Sequence, residues 1–276
     1  MMLETIVVGA LQVNCYVLGC EESHRAVVID PGDDAPAILA ALKRGGLKLE
    51  CIVITHAHFD HFSGARSLQE ATGAPLYMHP DGQPLLPAMR RTAIAWLGRD
   101  PGEPPELTYD LSAGGLRVGE LALEVRSTPG HAPGSLTLVD HTKRRAFTGD
   151  ALFAGSIGRT DLPGGSLDML LSNIHEQILV LPDDYAILPG HGPDSTIGEE
   201  RRSNPFLAEL PRSSAWRCGQ AWDALLRVRP GDGAGDHRPC SPGISGGGVR
   251  YHLRERSCRG GALSGPQRLP DAPGGI

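Results

Sequence analysis

Apolar residues in this chain fall in short, β-branched runs cut apart by glycine, proline and aspartate. Leu3–Val8, Asn14–Leu18 and Ala26–Asp30 read as three successive strands. Gly9 separates the first two and a Gly19–His24 turn the next two, which predicts an antiparallel meander. Asp30-Pro31-Gly32 stops the third strand, and Pro36–Arg44 follows as a helix with proline in its first turn and Gly45 as its stop. Cys51-Ile52-Val53-Ile54 has no polar alternation and reads as a strand buried on both faces. A helix over Gly64–Thr72 and a strand over Pro75–Met78 come next. Residues 80–105 hold many prolines around one apolar segment, Met89–Leu97, which predicts a helical excursion between loops. Its roles as a cleft wall or a surface elaboration stand equal at this point.

Strands resume at Leu121–Val125, Leu136–Val139 and Arg145–Thr148, and a glycine-rich loop spans Gly155–Gly165. Leu167, Leu170, Leu171, Ile174 and Ile178 repeat at a helical period, so Leu167–Leu181 reads as one helix. Tyr185–Leu188 is the last strand. Two blocks, each with strands first and helices afterwards, predict two sheets with helices packed outside.

Near Pro205-Phe206-Leu207 the character changes. Residues 208–276 have no lysine, many glycines and prolines, and one short helical stretch, Ala221–Val228. We therefore divide the chain into a catalytic domain over 1–207 and a Gly/Pro/Arg-rich tail over 208–276 that reads as disordered or irregular. The formal net charge of −6 gives no ground for a nucleic-acid or membrane-surface protein. No apolar run approaches the ~20 residues that span a bilayer. The start of the chain lacks a basic segment followed by an apolar one, so no signal peptide is expected. The six cysteines are scattered, and none is in C-x-x-C spacing. They read as reduced thiols of a cytoplasmic protein, with Cys15 and Cys51 as inert core residues.

The chemistry gathers behind the Cys51 strand, in Thr55-His56-Ala57-His58-Phe59-Asp60-His61. Three imidazoles and a carboxylate cannot be buried there without a large desolvation penalty. They are the donor types that zinc and related ions prefer. In a strand, residues two apart share a face, so His56 and His58 can approach one ion together. A turn at Phe59 throws Asp60 and His61 towards a second point. Three later residues have the same character, each at a strand end beside glycine: His131 after Gly130, Asp150 after Gly149 and His191 after Gly190. Each is weak alone. Together with the cluster they supply seven ligands, enough for two ions with one carboxylate shared.

The order H-x-H-x-D-H, then Gly-His, Gly-Asp and Gly-His, resembles the metallo-β-lactamase-fold hydrolase superfamily over about residues 3–207. The resemblance implies a fold of α/β (α+β) class, an αββα four-layer sandwich with metals at one edge of two facing sheets. It implies that His56, His58 and His131 hold a first metal, that Asp60, His61 and His191 hold a second, and that Asp150 bridges them. Two divalent ions follow, zinc foremost, with iron and manganese as alternatives. The β-lactamase branch is expected to carry a cysteine where this chain has Asp150, which argues against antibiotic hydrolysis.

Within the superfamily the chain most resembles the glyoxalase II-like branch, hydroxyacylglutathione hydrolase and its shorter bacterial relatives. Residues 208–276 do not look like the helical C-terminal domain of glyoxalase II, and Gly158-Arg159-Thr160-Asp161 keeps a cation but lacks the branch's tyrosine. The resemblance implies hydrolysis of a thioester such as S-lactoylglutathione by a water made reactive between two ions. Asp60 is the candidate to orient that water, and Arg159 to bind an anionic group of the substrate or else to tether its loop through Asp161. The rival is persulfide dioxygenase, with a single non-haem iron on the equivalents of His56, His131 and Asp150. The expected partner is a small-molecule substrate, with no nucleic acid and no membrane. A homodimer is left open. Asp30 and Asn14 read as structural, Asp30 bracing the metal loops.

Overall fold

A computed structural model of the chain describes residues 2–98 and 100–207. The expected irregular segment 208–276 lies outside them. The predicted meander is present: β1 (Met2–Val8), β2 (Val13–Cys20) and β3 (Arg25–Ile29) pair antiparallel in turn. Helix α1 (Ala35–Arg44) carries the chain back, so β4 (Lys48–Val53) joins β3 in parallel. After α2 (Phe59–Phe62) and α3 (Ala65–Thr72), β5 (Leu76–Met78) lies parallel to β4. The excursion contains α4 (Leu86–Leu97) and returns to β6 (Tyr109–Asp110), parallel to β5. These six strands form one sheet in sequence order.

The second sheet opens with an antiparallel run, β7 (Gly114–Val118), β8 (Leu121–Ser127), β9 (Leu136–Asp140) and β10 (Arg145–Gly149). A small hairpin of β11 (Leu152–Phe153) and β12 (Ser156–Ile157) follows, then α5 (Leu167–Asn173). Next, β13 (Ala186–Pro189) pairs parallel with β10, and β14 (Ser195–Thr196) leads into α6 (Ile197–Ser203). The order is β14-β13-β10-β9-β8-β7.

Strand β2 shows why the apolar runs lack polar alternation: every residue in it is buried. Cys15 and Val17 point to one side, into an apolar cluster with Ile38 and Leu42 of α1 and Leu68 of α3. Tyr16 and Leu18 point to the other, where Leu123, Leu138 and Phe147 of the second sheet meet them. A third cluster joins Val139, Ala146 and Ile187, on the far face of the second sheet, to Leu170, Ile174 and Ile197. Three apolar layers between helix, sheet, sheet and helix make the expected αββα sandwich. Strands covered on both faces need apolar residues at every position. Each fully buried Leu or Ile contributes roughly 1.5–3 kcal/mol.

Some local features differ from what the sequence pattern predicts. Strand β7 was not expected, because Gly114, Gly115 and Arg117 dilute its pattern; only Leu116 and Val118 face the core. The helix expected over Leu167–Leu181 stops at Asn173 and widens into a π-helical turn, Ile174–Ile178. Leu170, Ile174 and Ile178 keep their buried side through the change, while Arg126 donates to the Gln177 carbonyl and fixes the turn to β8. The Gly155–Gly165 loop begins inside the β11–β12 hairpin, whose two-residue strands are too short to show a period.

Candidate metal centre

The carboxyl ends of β3, β4, β8, β10 and β13 meet at one edge of the sandwich, and each delivers one part of the cluster. β3 ends at Asp30, β4 runs into Thr55–His61, and the turns after β8, β10 and β13 carry His131, Asp150 and His191. All seven expected residues come together. Potential donor atoms of His56, His58 and His131 lie within 4.8 Å of one another, as do those of His56, His61 and Asp150, and those of Asp60, His61 and His191. His58 Nδ1 sits 3.1 Å from His56 Nε2 and 2.9 Å from His131 Nε2. Asp150 Oδ1 is 3.4 Å from His61 Nε2, and its Oδ2 is 3.5 Å from His131 Nε2 and 3.6 Å from His191 Nε2. Asp150 therefore touches both halves of the cluster, as a shared carboxylate must. Asp60 Oδ2 lies 3.2 Å from His191 Nε2.

The outer ring nitrogens decide which way the imidazoles face. His131 Nδ1 donates to the Arg159 carbonyl at 2.8 Å and His191 Nδ1 to the Leu11 carbonyl at 3.0 Å. A carbonyl only accepts, so those nitrogens carry the hydrogens and Nε2 keeps its lone pair. His61 Nδ1 is held by Asp30 Oδ2 at 2.9 Å. The Thr55 hydroxyl donates to Asp30 Oδ2 at 2.6 Å and so accepts from His56 Nδ1 at 3.1 Å. Four Nε2 lone pairs are thus turned inward by groups outside the cluster. Such partners orient metal-bound histidines generally.

Glycine makes the crowding feasible. A Cβ on Gly190 would run into Asp150 Oδ1 and stand 2.7 Å from His61 Cε1. One on Gly158 would collide with the Asp150 carbonyl. The turn after β13 is also tied to β2: the Asn14 side chain donates to the Pro189 and Gly192 carbonyls at 3.0 and 2.9 Å, and Tyr16 OH donates to Pro189 O at 2.7 Å.

The residues fit a cation. His61 Nε2 and Asp150 Oδ1 are buried with no hydrogen-bond partner, and leaving such groups unpaired costs ~1–3 kcal/mol each. Burial holds the His56 imidazole well below its ordinary pKa, and the charges of His61, His58 and His131 add to it. Burial, then His131, pushes His58 down to about 4. Burial opposes charge on His61 too, yet the carboxylates of Asp150, Asp60 and Asp30 outweigh it and raise its pKa well above the usual value. Burial would raise Asp150, but His61, His131 and His191 hold it below the carboxylate range. His56, His58 and His131 are thus held neutral, while the raised pKa of His61 and His191 shows that the carboxylates beside them call for positive charge, which a divalent first-row ion would supply in place of protons.

A family model described as the metallo-β-lactamase superfamily matches residues 8–191. The chain belongs to that superfamily. Hydroxyacylglutathione hydrolase GloC of Haemophilus influenzae is 35% identical over 209 residues, covering 75% of this chain and 98% of its own. Among solved structures, BLEG-1, a B3 metallo-β-lactamase by name, is 38% identical at a TM-score of 0.69, covering 75% of this chain and all of its own (100%). TTHA1623, solved in a di-iron-bound form, is 39% identical at a TM-score of 0.68, covering 74% of this chain and 100% of its own. Superfamily members are hydrolases, and their fold binds divalent metals. BLEG-1 also shows that resemblance at this level does not separate the chain from proteins called β-lactamases.

Around this superfamily site the structure adds partners that the sequence reading passed over. The carbonyls of Leu11 and Arg159 cannot be read from side-chain identity, and in the sequence Thr55 stands only at the edge of the motif. Asp30, expected as a brace, accepts from Thr55 N at 2.7 Å as well as from Thr55 Oγ1 and His61. It does so from a left-handed backbone, φ 51°. The Arg159 side chain is exposed and forms a two-bond fork with Asp161, at 2.7 Å for each bond. His79 caps the turn after β5 by accepting from Asp81 N at 3.1 Å. Cys15, Cys20 and Cys51 are buried. Among the described residues no helix is long and apolar enough to cross a membrane.

Proposed function

We propose that the chain is a metal-dependent thioester hydrolase of the hydroxyacylglutathione class, working with two divalent ions, zinc foremost. His56, His58 and His131 would hold one ion, and Asp60, His61 and His191 the other, with Asp150 between them. The observation that carries this reading is the convergence of the seven donors with Asp150 in reach of both halves. Bound there, the ions lower the pKa of water to near neutral and polarise a carbonyl oxygen.

The side chains supply the rest. Inward-facing Nε2 atoms fix where the ions would sit, and Asp150 separates the two positions. Asp60, 15% exposed beside the 28% exposed His191, stands on the open side of the cluster and is placed to orient the attacking water and take its proton. No serine or cysteine nucleophile is required. Arg159 presents a guanidinium at the end of the loop that also holds His131, and that group pairs well with a substrate carboxylate. GloC supports the substrate class: a protein of that name matches this chain along 98% of its length within 75% of ours, so a separate C-terminal glutathione domain is not needed for the name.

The test is metal content of the purified protein together with turnover of S-lactoylglutathione. Two ions per chain and thioester hydrolysis lost on chelation support the reading. One iron per chain and oxygen consumed with glutathione persulfide would replace it with the dioxygenase reading. Rapid opening of a chromogenic cephalosporin without thioester turnover would place the chain with BLEG-1.

A further inference from the structure

One buried carboxylate outside the cluster has no part in holding metal. Glu200, on α6, is 1% exposed, and among the described residues the groups bonded to it are neutral donors. Gly155 N donates to its Oε2 at 2.8 Å and Asn204 Nδ2 to the same oxygen at 2.7 Å, while Ser195 Oγ bonds to Oε1. Asn204, 2% exposed, also donates to the Ser156 carbonyl at 3.0 Å. A buried carboxylate without a cation is costly and persists only where several hydrogen bonds fix it.

Gly155 and Ser156 form the tip of the β11–β12 hairpin, and that hairpin touches the metal centre three times. Its first strand begins at Leu152, one residue beyond Ala151, which follows Asp150. It ends just before Arg159, whose carbonyl holds His131 Nδ1 at 2.8 Å. Its Phe153 ring lies 6.3 Å from the His191 ring. At its base Thr148 Oγ1 donates to Leu152 O at 2.8 Å. The stretch from Asp150 to Arg159 is therefore pinned at its base by β10 and at its tip by α6.

We infer that Glu200, with Asn204, is a positioning residue: by clamping the tip of the Asp150–Arg159 hairpin it keeps Asp150 and His131 in register for metal. This rests on the metal-centre reading above. It makes a distinction that stability alone does not. Ser195 bonds Glu200 Oε1, whereas the bonds to the hairpin run through Glu200 Oε2 and the Asn204 amide. Weakening the hairpin contacts should loosen metal, while removing the Ser195 hydroxyl should cost stability only.

The experiment uses the full chain loaded with zinc, and follows zinc release to a chromogenic chelator alongside thermal unfolding. E200Q and N204A are expected to release zinc several-fold faster than the native protein, a smaller effect than removing a group bonded directly to a metal ligand would have. S195A is expected to melt earlier with native zinc release. E199Q, at an exposed neighbouring position, is expected to match native protein in both. Native release rates in N204A and E200Q, or faster release in S195A equal to theirs, would overturn the inference. If E200Q does not fold, N204A against S195A decides it. A native chain that takes up no zinc, iron or manganese would overturn the metal-centre reading and this inference with it. A native chain that holds metal while the variants release it normally would overturn this inference alone.

Discussion

At the scale of single residues, Asp30 carries more of the site than any one candidate ligand. Its two oxygens accept from Thr55 N, Thr55 Oγ1 and His61 Nδ1, and through the Thr55 hydroxyl it also fixes His56. Asparagine tolerates the left-handed backbone that Asp30 adopts, so Asp30→Asn tests the carboxylate without straining the chain. Its amide nitrogen would face groups that need an acceptor. We expect D30N to fold, to bind zinc ten- to a hundredfold more weakly in chelator competition, and to lose activity in proportion. Unchanged zinc affinity would show that Asp30 serves the fold alone. Arg159 tests the other side of the site. Its main-chain carbonyl, not its side chain, holds His131, so Arg159→Gln should leave metal content intact. Losing a guanidinium–carboxylate pair of about 1.4 kcal/mol predicts a tenfold rise in KM for S-lactoylglutathione with kcat preserved. A neutral thioester should show no such rise. Equal effects on both substrates would mean that the fork with Asp161 is only a loop tether.

At the scale of elements, what could be read from the chain depended on how local the signal was. The ligand cluster was legible because its spacing alone brings donors together, and because glycine beside each later ligand marks a tight turn. β2 and the Cys51–Val53 end of β4 are legible because burial on both faces leaves an apolar run, while the exposed Lys48 and half-buried Glu50 hide where β4 begins. Helix α6 was not foreseen, since IGEERRS buries only Ile197, Gly198 and Glu200. A signal was nevertheless there: Thr196 accepts from Glu199 N, a serine/threonine cap followed three residues on by glutamate. The π-helical turn leaves no mark in the local apolar period, and the Arg126 guanidinium that bonds its Gln177 carbonyl comes from another element, β8.

The same strand supplies a pH prediction. Glu124 Oε2 accepts from Arg126 Nη2 at 2.8 Å and from His141 Nε2 at 2.6 Å. Burial would raise its pKa, but His141 and Arg126 outweigh it and hold the carboxyl below the ordinary 4.5. A carboxylate lowered on folding contributes stability above its unfolded pKa and loses it as pH falls through the folded one. The native melting temperature should therefore fall more steeply below about pH 4.5 than that of E124Q, the two converging in acid. Parallel curves from pH 7 to pH 3 would count against the assignment.

At the scale of the whole molecule, the parts that make the site close on themselves within the described residues. All seven candidate ligands lie between His56 and His191, and the family match ends at 191. Yet the third apolar cluster takes in Ile197 and Leu207, which is 6% exposed. Asn204 N and Leu207 N continue the hydrogen-bonded path that ends α6, donating to Glu200 O and Asn204 O at 3.1 Å each. The boundary that matters physically is thus not the last ligand but the last buried side chain. We expect a chain ended after Leu207 to keep its metal and its turnover within about twofold, since no ligand, clamp or core residue described here is removed. A chain ended after Pro193 retains every candidate ligand but loses Glu200, Asn204 and the Ile197–Leu207 cover of the second sheet. It should unfold at lower temperature and release zinc faster even where it still folds. Full activity in the shorter chain would show that α6 is dispensable to the centre. Loss of activity in the longer one would give residues 208–276 a role that the ligand set does not require.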